Sequence, residues 1–127
     1  MKDFVIDPIF PNCPVRNVLS RLSGKWPLLV LLVLDGNNRS MRFKELERAI
    51  PDISQKMLTS TLRSLEADGI VVRRNYAEVP PRVEYELTER GHSLMPHLHQ
   101  LVDWAYDNLH EIIQSREEYT GLDAMGR

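Results

Sequence analysis

The stretch that most limits how this chain can fold is Trp26 to Leu34, WPLLVLLVL. An uncharged run of this kind has to leave water, because burying each large aliphatic side chain contributes about 1.5–3 kcal/mol. A membrane-spanning helix needs roughly 20 apolar residues, more than twice this run, so the segment is read as a buried element of a core. Leucine outweighs valine within it, and helix boundaries flank it: Gly24 before Lys25, and Asp35-Gly36-Asn37-Asn38 after Leu34. A helix is therefore favoured over a strand, with Pro27 in its first turn and Gly36 expected to take the left-handed closing conformation.

The other segments supply faces that such a helix can cover. Pro14 opens a helix through Val15, Val18, Leu19 and Leu22, with Asn12 or Cys13 near its cap and Ser23-Gly24 as its stop. Phe43, Leu46 and Ile50 recur at i, i+3 and i+7, a short amphipathic helix that ends before Pro51. Ser54 is placed to cap the next helix, which Gly69 terminates. Arg82 to Leu87 then alternates Val83, Tyr85 and Leu87 with Arg82, Glu84 and Glu86, the period of a strand. It pairs with the preceding IVVRRNY in a hairpin whose tip holds Pro80-Pro81. Thr88 caps a final long helix carrying Leu94, Leu98, Leu101, Ala105, Leu109 and Ile112 as far as Glu117-Glu118, with Pro96 in an early turn or at a kink and TGLDAMGR as a frayed tail. At 127 residues the chain is expected to be one domain.

The helix from Ser54 to Gly69 has two faces. Met57, Leu58, Thr61, Leu62 and Leu65 gather on one side and want a core. Gln55, Lys56, Thr59, Ser60 and Arg63 gather on the other, which has no carboxylate until Glu66. Such donors and donor-acceptors suit phosphates and base edges. The formal net charge of -2 conceals a modest segregation: residues 39–82 carry nine basic against six acidic side chains, leaving both flanks together acidic. The apolar surface of the last helix, with Val102, Trp104 and Tyr106 outside its main stripe, exceeds what one small core covers. A partner helix is implied, most economically from a second copy.

The order helix, turn, donor-faced helix, hairpin is that of a winged helix, and particular residues sharpen it. Cys13-Pro14-Val15, Gly24-Lys25-Trp26, Arg42-Phe43 with Glu45-Leu46, ISQKMLT from Ile53, Leu65-Glu66, Asp68-Gly69 and VPPRVEY from Val79 resemble the HxlR-type winged helix-turn-helix regulators, which are MarR-like. Ser60-Thr61 and Pro27 depart from the pattern. The resemblance implies an α+β, mainly α fold: a core over 13–113, a helix-turn-helix over about 43–69, a two-stranded wing over about 70–88 and a dimerisation helix over about 89–115. It also implies a cytoplasmic homodimer, its interface formed by the N- and C-terminal helices, that binds double-stranded, pseudo-palindromic operator DNA. Ser54, Gln55, Lys56, Thr59, Ser60 and Arg63 would then lie along the major groove, Arg73, Arg74 and Arg82 would flank the wing, and Arg42 would touch a phosphate or pair with a neighbouring carboxylate. Strand alternation puts Arg73 and Arg74 on opposite faces, so that at least one of them is open to a structural reading. The same fold with its polar face turned to a protein is the alternative.

Cys13 is the single cysteine, which excludes an internal disulfide framework and a Cys-rich zinc site and fits a reducing cytoplasm. The first residues, MKDFVIDPIFPNCP, lack the continuous apolar core of a signal peptide. Near a helix N-terminus and Arg16, the Cys13 thiol is a candidate for reaction with oxidants or electrophiles, as in some HxlR-type proteins; the bland reading is an inert packing residue near the dimer seam. Catalysis has little support. His110-Glu111 opens like a zinc-protease motif, but Gln114 stands where the second histidine is needed. His97 and His99 lie about 200° apart around a helix and cannot share an ion. Neither a metal nor another cofactor is expected, nor a membrane partner, and any small-molecule effector is left open.

Overall fold

Proline has its φ already set and no amide hydrogen to lose, so Pro14 is well suited to the first helical position; α1 runs Pro14–Leu22 from a Cys13 cap. The structure, a computed structural model, describes residues 13–126, and their side chains as far as residue 121. Asn12, the other candidate cap, lies outside the described residues. The remaining elements are α2 (Lys25–Asn37), β1 (Met41–Arg42), α3 (Phe43–Ala49), α4 (Gln55–Ala67), β2 (Val71–Tyr76), β3 (Arg82–Leu87) and α5 (Glu89–Gly126). The chain divides after Met95 into two compact units.

In the first unit α2 forms the centre. Val30, Leu31 and Leu34 are buried, α2 packs against α3, α4 and β3, and Leu46 of α3, Leu58, Leu62 and Leu65 of α4, and Val71 and Leu87 of the sheet are buried with them. The left-handed closing residue of α2 is Asn38 (φ 50°), not Gly36, which stays within the helix. Asparagine tolerates this conformation better than other side-chain-bearing residues, and the Asn37 side chain donates to the Val33 carbonyl at 2.9 Å in the last turn. In α1 the apolar stripe points outward: Val15, Val18 and Leu19 are more than half exposed, while Asn17 is buried. Met57, grouped by sequence with the core face of α4, is 40 % exposed.

Both ends of α4 are fixed. Ser54 Oγ accepts from the Met57 N–H at 3.0 Å. At the other end Gly69, with φ 73°, donates to the Glu66 carbonyl at 3.0 Å, and Ile70 donates to the Leu65 carbonyl at 2.9 Å. This pair of bonds is the Schellman closure, which glycine accepts without a Cβ penalty. Thr88 ties the hairpin to this corner: its N–H donates to the Ile70 carbonyl at 3.1 Å, and its Oγ1 accepts from Gly91 N–H at 3.1 Å, capping α5.

The sheet has order β1-β3-β2 and is antiparallel throughout. The two-residue β1, not foreseen, pairs Met41 with Tyr85 and Arg42 with Glu84. Between β2 and β3, Val71 faces Leu87, Arg73 faces Tyr85, Arg74 faces Glu84 and Tyr76 faces Arg82. Two antiparallel strands carry their side chains alternately on either face, so Val71, Arg73, Tyr85 and Leu87 share the inner face, and Arg74, Tyr76, Arg82, Glu84 and Glu86 share the outer one. Helix-turn-helix followed by this hairpin is a winged helix-turn-helix, α+β and mainly α. In the second unit α5 continues from Pro96 past Glu117-Glu118 to Gly126, beyond its expected end. Leu101, Trp104, Tyr106, Leu109, Ile113 and Tyr119 are exposed along it. Among the described residues no single helix is long and apolar enough to cross a membrane.

Candidate nucleic-acid interface

The outward face of α4 and the inner face of the wing border one open groove of about 480 Å³, lined by Gln55, Thr59, Arg63, Glu66 and Arg73, with Phe43, Leu62 and Tyr85 as its apolar part. Gln55, Lys56, Ser60 and Arg63 are exposed, and Thr59 is half-buried. Ser54 is exposed as well, but its oxygen is engaged in capping α4. The fold thus brings one wing arginine, Arg73, into the groove of the donor-faced helix. That outcome follows from the pairing register, which sets Arg73 opposite Tyr85 on the inner face.

The other two wing arginines have different surroundings. Arg74 Nε donates to Glu86 on the outer face, a bond that raises the guanidinium pKa above its ordinary value. Arg82 is held inside the wing, with Nε 3.1 Å from Glu84 Oε2, Nη2 3.3 Å from Glu78 Oε1, and its guanidinium 4.2 Å from the centre of the Tyr76 ring. Glu84 also accepts from Ser40 Oγ, which anchors the wing to the segment before β1. Arg74 and Arg82 thus each have carboxylate partners within the wing.

Arg42 is exposed and shares an open recess with Lys44 and Arg48. Its backbone N–H donates to Glu45 Oε1 at 3.0 Å, while Glu45 Oε2 takes Arg39 Nη2 at 2.8 Å. The Arg39 bond, followed by the Arg42 amide, holds the Glu45 carboxyl below its usual range. Lys44 and Arg48 were not singled out from sequence, although their i, i+4 spacing puts them on one face; the interleaved Glu45 and Glu47 mask the signal.

The orientation of α4 is also set from outside. Arg21 of α1 places Nε 2.6 Å from Asp68 Oδ2 and donates from Nη2 to the Ser64 carbonyl at 3.3 Å, while Arg90 Nη1 donates to the Asp68 carbonyl at 2.9 Å. Two cations at a helix C-terminus complement its partial negative charge. At the far end of α1, Cys13 is exposed and unpaired in a disulfide. Among the described residues no group of three histidine, cysteine, aspartate or glutamate side chains is placed to hold a metal ion.

Residues 21–113 match the family model described as HxlR-like helix-turn-helix. An HTH-type transcriptional regulator of Methanothermobacter thermautotrophicus is 50 % identical over 93 residues, covering 72 % of this chain and 69 % of that protein. Among solved structures, the redox regulator HypR in its oxidized form is 45 % identical, with a TM-score of 0.68 over 76 % of this chain and 97 % of HypR. Diamide-treated YodB of Bacillus subtilis is 38 % identical, with a TM-score of 0.64 over 75 % of this chain and 93 % of YodB.

Proposed function

The chain belongs to the HxlR-like helix-turn-helix family of transcriptional regulators, and from that premise we propose that it acts as a homodimer on pseudo-palindromic operator DNA. The observation that carries this reading is the groove in which Arg73 of the wing joins Gln55, Thr59 and Arg63 of α4. In it α4 lies in the major groove: Gln55 reads adenine, Arg63 and Lys56 read guanine, and Thr59 and Ser60 face base edges. Ser54 caps α4 at the DNA surface. Arg73 approaches the backbone beside the wing, and Arg42, with Lys44 and Arg48, meets phosphates at the other side. Arg74 and Arg82 serve by shaping the wing through their carboxylate partners.

Second-copy association is supported by two apolar surfaces, Val15, Val18 and Leu19 on α1 and Leu101, Trp104, Leu109 and Ile113 on α5, which in a monomer would stay in water. A two-fold dimer carries two recognition helices to half-sites about 10 base pairs apart. Selection from a random duplex library, followed by binding measured against salt, tests the whole reading. The expected result is an enriched sequence with two-fold character, bound as a dimer, with affinity that falls steeply as salt rises. Enrichment of nothing, or salt-independent binding, would reject it.

Redox or electrophile response is the second part of the proposal. HypR is a redox regulator and YodB has been treated with the oxidant diamide, and here the exposed Cys13 begins the helix whose other end pairs with α4 through Arg21.

A further inference from the structure

Thr59 and Ser60 are adjacent on α4, yet their hydroxyls are in different states. Thr59 Oγ1 donates to the Gln55 carbonyl one turn back, at 2.9 Å. Ser60 is exposed and makes no side-chain hydrogen bond within the described residues. A hydroxyl has a single hydrogen, so Thr59 has none left to donate to a base, while Ser60 has. With Oγ1 folded back against the helix, Cβ of Thr59 has its methyl left to present. Thr59 itself lines a groove whose wall also includes Phe43, Leu62 and Tyr85. In the major groove thymine alone among the four bases presents a methyl group.

We propose that Thr59 is a specificity residue that reads the 5-methyl of a thymine through its own methyl, and that Ser60 keeps the hydrogen-bonding role. This rests on the reading that α4 enters the major groove of an operator. The competing role for Thr59 uses its oxygen, whose lone pairs remain able to accept from cytosine N4 or adenine N6.

The experiment starts from the operator selected with the full chain. Each thymine is replaced singly by deoxyuridine, which differs only in lacking the 5-methyl, and affinity is measured for wild type, Thr59→Ser and Thr59→Val. Serine keeps the hydroxyl and loses the methyl; valine keeps the methyl and loses the hydroxyl. At one thymine in each half-site, deoxyuridine should weaken wild type and Thr59→Val by about fourfold, the effect of leaving one methyl group unburied. Thr59→Ser should bind thymine and uracil there equally. A deoxyuridine effect that survives Thr59→Ser overturns the assignment, as does loss of binding confined to Thr59→Val, which would make the oxygen the reader. An operator indifferent to uracil at every thymine overturns this inference alone, whereas failure to enrich any operator removes the DNA-binding reading with it.

Discussion

Arg21 and Asp68 form an ion pair at 2.6 Å that joins the last turn of α1 to the C-cap of α4, with each side chain about a third exposed. The same guanidinium also takes the Ser64 carbonyl, so it binds both a carboxylate and the negative end of the helix. Exposed pairs contribute roughly 0.2–1 kcal/mol, and the added carbonyl bond puts this one at the upper end. Arg21→Ala is expected to lower unfolding free energy by about 1 kcal/mol in urea titration. A double-mutant cycle with Asp68→Ala should return a coupling of about 0.5 kcal/mol or more. Strict additivity would mean that the pair contributes nothing to the attachment of α1.

Two glycines should respond to alanine with opposite signs. A Cβ on Gly91 would lie 2.3 Å from the Ile70 carbonyl oxygen and 3.2 Å from Leu87 Cδ2, in the corner that Thr88 closes. Backbone has to shift to admit it, so Gly91→Ala should cost about 2–3 kcal/mol in thermal or urea unfolding. Gly36 lies in α2 with nothing within 4 Å of the same position. There alanine should raise stability by up to about 1 kcal/mol through its helix propensity. Equal effects at the two sites would contradict the close approach at Gly91.

Binding to the selected operator should separate the arginines. Arg63→Ala is expected to cost on the order of 1–3 kcal/mol and to relax preference at particular base pairs. Arg73→Ala should weaken all sequences alike and reduce the salt slope by about one. Arg74→Ala and Arg82→Ala remove side chains already paired with wing carboxylates, so they should leave that slope unchanged. A flattened slope for Arg82→Ala would return Arg82 to the phosphate contacts that its sequence position suggested.

Glu45 offers a pH test with a definite sign. Its pKa in the folded chain is lowered from the ordinary 4.5, first by the Arg39 hydrogen bond and then by the Arg42 amide. A carboxyl whose folded pKa lies below its unfolded one stabilises the fold fully above the unfolded value. That contribution is lost as pH falls through the folded value, so the window lies below about 4.5. Carbon-detected NMR titration of the Glu45 carboxyl should place its midpoint below those of unpaired glutamates, and Arg39→Ala should move it upward. An unmoved midpoint would show that Arg39 does not hold the carboxyl in solution.

Much of the site was legible because it rests on local signals. The apolar period of Phe43, Leu46 and Ile50, the Ser54 cap, the Gly69 stop and the alternation from Arg82 to Leu87 each need only a few neighbouring residues, and together they order the winged helix. What escaped depends on partners distant in sequence. Strand β1 is two residues long and exists only because β3 lies beside it. Periodicity shows that α1 has an apolar face but not which way that face turns; Val15, Val18 and Leu19 turn outward. Alternation separates Arg73 from Arg74, yet only the packing of β2 beside α4 decides which of them enters the groove.

The last expectation joins Cys13 to α4. Cys13 is exposed and free at the N-terminal cap of α1, so its thiol is open to oxidants. With one cysteine per chain, a disulfide formed on oxidation joins either a second subunit or a cellular thiol. Either adds a constraint or bulk at the start of α1, and the Arg21–Asp68 pair is the link by which a displaced α1 would pull on the end of α4. Oxidant should therefore change operator affinity of the wild type, and reductant should restore it. Cys13→Ser should bind like reduced wild type under both conditions. Arg21→Ala should keep a reactive thiol, as measured by maleimide labelling, while its affinity responds less to oxidation. Equal affinities for oxidised and reduced wild type would leave Cys13 without a regulatory role, and an undiminished response in Arg21→Ala would route the coupling elsewhere than through Asp68.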